Sequence, residues 1–432
     1  MKKCMVTTFL LLIAIGFLFP VSGMCQDMSN AEIMKELKAL KERISNLEKE
    51  LAKKNTEMES MKQDIHKAHI AGHPEVRPPI PGEEPEREKW FDRIELSGAI
   101  EVEFGNMHED FKDNTVAGLP SDKVQEHDLT LATVELGVDT QINKYTKGHI
   151  LFLYEEDEDG DRVRLDEGTI FLGGIEETYG FYLLAGKYYP HFGELNTFLV
   201  SDPLTLEMFE IRESAAQAGW GNDWFSIGAG LFNGDVQEDF HRNNNRINGF
   251  FADMNMHNPE GTLGGVSLLT GVSYLSSVAD SDTLEGQVND INADLDNNDI
   301  SDYVDGVAAY LVAEYGAFSF GAEYITALDD FRAGEMAYAL DRLGAARDTR
   351  PAAWNFEFAY RPIDNVQLAI RYEGSDEMFD LFPEDQYGFA VSWELFKYTT
   401  LSAEYLHGEY EDNAMTVDRD QDIFTMQLAI EF

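Results

Sequence analysis

From about residue 90 to the end of the chain, apolar side chains recur at every second position. In the first such segment Ile94, Leu96, Ile100, Val102 and Phe104 fall on one face, and Glu95, Ser97, Glu101 and Glu103 on the other. Trp354, Phe356, Phe358 and Tyr360 repeat the pattern against Asn355, Glu357 and Arg361. Val366, Leu368, Ile370 and Tyr372 do so against Gln367 and Arg371, and Phe389, Val391, Trp393 and Leu395 against Ser392 and Glu394. The last segment alternates through Phe424, Met426, Leu428 and Ile430 and closes on Phe432, the pattern of a terminal strand read by barrel-assembly machinery. A period of two with one wet face and one apolar face predicts β-strands. Locally the pattern fits both a soluble sandwich, whose apolar face is the core, and a membrane barrel, whose apolar face meets lipid.

Connection length separates the two. About 16 such segments are separated alternately by short turns, near Lys144, Gly180, Asn222, Pro259, Gly316, Pro362 and Lys397, and by longer polar loops. The long ones span 107–125, 189–211, 233–246, 278–303, 328–350, 374–386 and 410–421, with a shorter one at 156–162. That alternation belongs to an antiparallel transmembrane barrel. The 343 residues from Trp90 onward give each strand with its connection about 21 residues, which suits strands of roughly 9–11 spanning residues. The fold class predicted is all-β, an antiparallel transmembrane barrel of about 16 strands, and a barrel of that size leaves an aqueous channel.

Ahead of the barrel the period changes. Lys2 and Lys3 precede an apolar run from Met5 to Phe19 and the small residues Ser22 and Gly23, so residues 1–23 read as a secretory signal. Within 24–70, Ile33, Leu37, Leu40, Ile44, Leu47, Leu51, Met58, Met61 and Ile65 follow heptad spacing, which predicts an α-helical coiled-coil stalk in the periplasm. Arg43, Ile44, Leu47 and Glu48 match the Arg-apolar-x-x-apolar-Glu pattern of trimeric coiled coils, so the expected assembly is a homotrimer. The proline-rich stretch 71–89 cannot hold a helix and reads as a semi-rigid linker to the barrel, 90–432. Cys4 leaves with the signal and Cys25 has no intrachain partner, so no disulfide frames the fold.

Charge narrows the partners. Residues 1–89 carry 14 groups of each sign, leaving 19 basic and 66 acidic residues beyond them and a net charge of −47 for the whole chain. Nucleic acid is excluded as a partner, since its phosphates need basic counterparts. Acids at alternate positions in two loops, Asp157, Asp159 and Asp161, and Asp294, Asp296 and Asn298, are candidate surface calcium ligands that would bridge the barrel to lipopolysaccharide. The second run departs from the EF-hand pattern, with Asp299 at the glycine position and Asp305 in place of the final glutamate. No cofactor beyond such calcium is expected. His191, His241 and His407 are isolated, and no Ser, His and acid stand as a recognisable set, so the chain does not read as an enzyme.

Gly186-Lys187-Tyr188-Tyr189-Pro190-His191-Phe192-Gly193, followed by Ser201-Asp202-Pro203-Leu204-Thr205-Leu206-Glu207, resembles the LbtU family of siderophore porins. His191 stands where that family's pattern leads one to expect proline, with Pro190 one residue earlier. The resemblance implies uptake of a ferric siderophore across the Gram-negative outer membrane by facilitated diffusion, through a barrel without a plug. Lys187, Arg361 and Arg371, read as standing on the polar face, are candidate ligand contacts, with Asp202 and Glu207 at a constriction. Two other readings stay open: a general or cation-preferring porin, and a structural anchor acting through the stalk.

Overall fold

The computed structural model describes residues 93–111, 123–156, 162–174, 178–194, 196–238, 247–259, 261–289, 299–341, 344–379, 381–411 and 419–432. The signal, stalk and linker, the trimer motif at Arg43, Ile44, Leu47 and Glu48, and the candidate calcium residues Asp157, Asp159, Asp161, Asp294, Asp296 and Asn298 lie outside the described residues.

Among the described residues, sixteen strands close into one antiparallel barrel. In chain order they are β1 (Ile94–Phe111), β2 (Lys123–Asn143), β3 (Thr146–Glu155), β4 (Arg162–Gly173), β5 (Phe181–Tyr188), β6 (Glu213–Gly221), β7 (Phe225–Asn233), β9 (Gly249–His257), β10 (Val266–Leu275), β12 (Gly306–Tyr315), β13 (Phe318–Ala327), β14 (Ala352–Ile363), β15 (Val366–Asp376), β16 (Asp385–Phe396), β17 (Thr399–Glu409) and β18 (Arg419–Glu431). The intervening numbers, β8 (Gln237–Glu238) and β11 (Asp299–Ile300), form a small parallel pair between two long loops. Closure runs through β1 and β18, where Phe432 exchanges two backbone hydrogen bonds with Gly98, 2.9 and 3.0 Å.

The alternation predicted from sequence is the alternation observed. Ile100, Val102, Phe104, Phe356, Phe358, Ile370, Phe389, Met426 and Leu428 all point outward and are exposed, while Glu357, Arg371 and Glu404 point inward and are buried. Large exposed apolar residues in continuous rows need lipid, not water, on that side. The short turns carry an aromatic rim: Tyr145, Tyr179, Trp224, Tyr315 and Tyr398 are exposed there, with Lys144 and Lys397 over the rings of Tyr145 and Tyr398. Such rings belong at the headgroup level. Among the described residues no helix is long and apolar enough to cross a membrane.

One feature departs from the polar-lumen expectation. Tyr188, Phe192, Met208, Phe209, Phe232, Val236, Phe251, Leu275, Val278, Leu284, Ile300, Ile325, Phe331, Met336 and Phe379 form a buried apolar cluster inside the extracellular half of the barrel. Its members come from the inner ends of β5 to β14 and from the loops above them; among the described residues none comes from β1–β4 or β16–β18. The long loops are therefore not a hydrated fringe. The described parts of the loops between β5 and β16 fold inward and share one core, a cap over one side of the barrel mouth.

Candidate functional site: a loop across the lumen

The segment 189–212 leaves β5, crosses the lumen and returns to β6. In a ring of sixteen strands β5 stands opposite β15, and that is where the loop docks. It has only one short helix, α1 (Leu204–Phe209), so most of its backbone N–H groups lack helical or strand partners and need acceptors from elsewhere.

Wall carboxylates supply them. Glu323 on β13 accepts from the Glu194 N–H, Glu357 on β14 from the Phe198 N–H and the Thr197 hydroxyl, Glu404 on β17 from the Val200 and Ser201 N–H groups, and Glu373 on β15 from the Leu204 N–H. The Glu404 bond to Val200 is 2.8 Å and that of Glu373 to Leu204 is 2.7 Å. Between these bonds Leu199 packs on Ala359, Ala369, Ala390 and Leu406, a patch of mostly small inward residues that leaves room for it.

Arg371 completes the dock. Its side chain is 0 % exposed, against 2 % for Glu357 and 0 % for Glu373. Nε donates to Glu357 at 2.9 Å, and Nη1 donates to Glu373 and the Asp202 carbonyl, both at 3.2 Å, and to the Ser201 hydroxyl at 3.3 Å. Nη2 donates to the Ser201 carbonyl and the Thr197 hydroxyl. A planar fork with five donors suits this task, binding two carboxylates and two carbonyls at once.

The stems of the loop are joined on the opposite side. Asp166 on β4 accepts from the Tyr189 hydroxyl at 3.0 Å and from Arg212 at 2.6 Å, so one buried carboxylate holds both the descending and the returning chain.

The other predicted residues fall in different places. Arg361 stands at the periplasmic end of β14 and donates to Gln367, which in turn donates to the Phe198 carbonyl, one step from the loop. Lys187 pairs in register with Ser214 and has the parity of Phe181, Leu183 and Ala185, so the alternation puts it on the outward set at the extracellular rim and not on the polar face. Gly186, the residue before it, holds the inward position. At the rim Lys187 is still close enough to Asp282 and Glu285 to favour their charged forms.

Asp202 and Glu207 are exposed on the loop, and Asp202 lies within electrostatic reach of Glu101 on β1 and Glu155 on β3. The carboxyls there sit above their ordinary range. Burial raises Asp202, opposed by Arg371 and reinforced by Glu155 and Glu404. Burial raises Glu207 to about 7, with Asp202 and Glu373 adding to it, and Glu210 to about 7, with Asp282 and Asp202 adding. These groups meet lumen water yet are surrounded by protein, so their charge is poorly screened. The inward face of β1–β4 across from them presents Glu101, Glu103, Glu135, Glu155 and Glu167; Arg164 bonds Glu155 at 2.8 Å. Among the described residues no group of acids and histidines is arranged to hold a metal ion.

Glu323, Glu373, Gln386 and Ser273 were not singled out by sequence, although each holds the loop or a residue that does; Gln386 bonds Glu373 at 2.8 Å and Ser273 accepts from the Gly193 N–H at 2.9 Å. Their inward parity was legible, but a contact such as Leu204 to Glu373, 169 residues apart, was not.

No family model matches the sequence. A UPF0422 protein of Coxiella burnetii is 24% identical over 298 residues, 67% of this chain, and the match spans only 61% of that relative. The outer membrane channel DcaP of Acinetobacter baumannii shares the fold with a TM-score of 0.51 and 11% identity, over 78% of this chain and 97% of that one. An anion-selective porin from Comamonas acidovorans does so with a TM-score of 0.50 and 10% identity, over 78% and 99%. The chain therefore has a porin-like barrel fold.

Proposed function

We propose that this protein is a diffusion channel of the outer membrane that favours cationic and neutral solutes. The observation that carries this reading is the division of labour across the lumen loop. Arg371 is consumed in holding the loop and Arg164 is paired with Glu155 and Asp166, while Asp202 and Glu207 remain exposed on the loop. A narrow passage with carboxylates on both sides concentrates cations and repels anions. The apolar cluster fills the β5–β14 side, which leaves the β1–β4 side for the path.

Siderophore uptake is a second reading of the same passage. The residues that resemble the LbtU family, Gly186 to Glu207, are the descent and crossing of this loop, and the reading is compatible with the geometry for a neutral or cationic ferric complex. The heptads of 24–70 support a homotrimer, which cross-linking of the purified protein tests.

The selectivity is measured as the reversal potential of a reconstituted channel across a potassium chloride gradient. A potential of the sign set by potassium supports the proposal; one set by chloride overturns it. Block of that current by a neutral ferric siderophore, but not by an anionic one, would favour the second reading.

A further inference from the structure

The loop that crosses the lumen is held by two unlike clamps. Its first arm, 194–204, is fixed to the wall by carboxylates that accept from its N–H groups. Its second arm, which carries α1 with Glu207 and then Glu210, is held from above by the cap. There the short helix α2 (Asp282–Glu285) and the residue before it donate to carbonyls of α1 and of the residue that follows it: the Ser281 hydroxyl to Met208 at 2.9 Å, the Asp282 N–H to Glu210 at 2.9 Å and the Thr283 hydroxyl to Glu207 at 2.5 Å. Met208, Phe209, Val278 and Leu284 are buried beneath these bonds.

Carboxylates crowd this seam. Glu210, just after α1, and Asp282, at the start of α2, act on each other across it; Glu207 stands beside Glu210 on the loop side, and Asp280 and Glu285 stand behind Asp282 on the cap side. Facing them from neighbouring elements are Asp202 on the loop, Asp166 on β4, Glu213 on β6, Asp235 before β8 and Glu373 on β15; the cations within reach are Lys187, Arg164, Arg212 and Arg371. Acids thus outnumber bases around a contact made by backbone carbonyls, hydroxyls and an amide, whose donors do not titrate.

We propose that the α1–α2 seam is a proton-operated latch that positions the constriction: with its carboxylates neutral the cap holds α1 in place and the passage is narrow, and with them ionised their repulsion frees α1 and the passage widens. The acids are poised to do this near neutrality. Burial raises Glu285 to about 7 and Asp280 to about 6, alongside Glu207 and Glu210 at about 7. Ionising several of them together sets like charges against each other in a poorly screened site.

The test must separate width from charge, so the probe is an uncharged pentose. Its entry into liposomes holding the full-length protein is measured at about pH 5.5 and about pH 8, either side of the seam's titration. The latch predicts a severalfold faster entry at the higher pH. The double variant Glu210→Gln/Asp282→Asn should lose that dependence and stay at the slow rate at both values. Ser281→Ala, which removes a latch bond without touching charge, should raise the rate at the lower pH and decides the matter if the double variant does not assemble. Equal pentose entry into liposomes of the natural protein at both pH values overturns the latch, as does an unaltered pH profile in the double variant. Because the pentose is neutral, these outcomes do not depend on whether the channel proves cation-selective.

Discussion

Replacing Arg371 with leucine tests whether the lumen loop is held as described. The change leaves Glu357 and Glu373, almost fully buried, without their cation, and leaves the Ser201 and Asp202 carbonyls without donors. Breaking a buried ion pair from one side costs about 3–5 kcal/mol, which is roughly a hundred- to several-thousandfold in the docking equilibrium of the loop. The strands themselves lose nothing, because the Glu357–Arg371 register pair is held by backbone. The expected protein therefore keeps a heat-modifiable barrel but conducts more per channel and discriminates less between ions, as the arm bearing Asp202 leaves the passage. Arg371→Lys, which keeps the charge and loses the fork, should fall between. A cysteine at Leu199, 9 % exposed in its alanine patch, should react with a maleimide only when Arg371 is also replaced. A folded Arg371→Leu channel with the conductance and the protected position 199 of the parent would refute the argument.

Other outcomes follow from the same geometry. Glu207 and Glu210 reach about 7 in the folded protein, so cation preference measured as reversal potential should grow between about pH 6 and pH 8. The stability linked to these raised values has the opposite sense: it is present below the ordinary glutamate range and lost as pH rises through about 7, so protease should cut the lumen loop faster at pH 8 than at pH 5. Gly249→Ala would place a Cβ 2.0 Å from the buried Phe232 ring; overpacking of this kind costs about 1–3 kcal/mol and should lower the temperature at which the barrel band shifts on a gel. Removing Phe432 breaks both of its backbone hydrogen bonds to Gly98, and should lower the temperature at which the barrel band shifts on a gel; an unchanged transition would show that these bonds do not help to close the barrel.

The barrel was legible because lipid enforces a strict rule on each strand. Outward positions within the lipid band must be apolar, so Ile100, Val102 and Phe104 against Glu101 and Glu103 already state which way each residue faces. The turns were legible for a similar reason, since the short connections at Lys144, Gly180 and Lys397 interrupt the alternation with turn residues. Facing direction is not partnership, however. The parity of Arg371 was right, yet nothing local to it reveals that Thr197 and Ser201, 174 and 170 residues away, would occupy its donors. The cap left a fainter trace: Phe232, Phe251, Leu275 and Ile325 are apolar on the inward parity at the extracellular ends of their strands, where a water-filled lumen would call for polar residues. Lys187 departs from the polar-face parity expected of it: it shares the outward set of Phe181, Leu183 and Ala185, and at a barrel rim a lysine is tolerated on either side.

The acidity of the chain also takes on two meanings once the loop is placed. A loop of 24 residues with one short helix, lying inside a barrel, presents N–H groups that no strand can satisfy, and fixed carboxylates are the strongest acceptors a wall can offer them. Glu323, Glu357, Glu373 and Glu404 are therefore structural acids behind the loop, whereas Glu101, Glu135 and Glu155, with Asp202 and Glu207, are the acids that a solute on the proposed path would meet. The two sets should respond differently to the same neutralisation. Glu101→Gln removes charge from the passage and should lower cation preference with pentose entry unchanged. Glu404→Gln weakens the acceptor for Val200 and Ser201 and should raise pentose entry first, with selectivity changing only as the loop moves. If both substitutions alter selectivity alone, the wall carboxylates are not holding the loop, and the acidity has a single role.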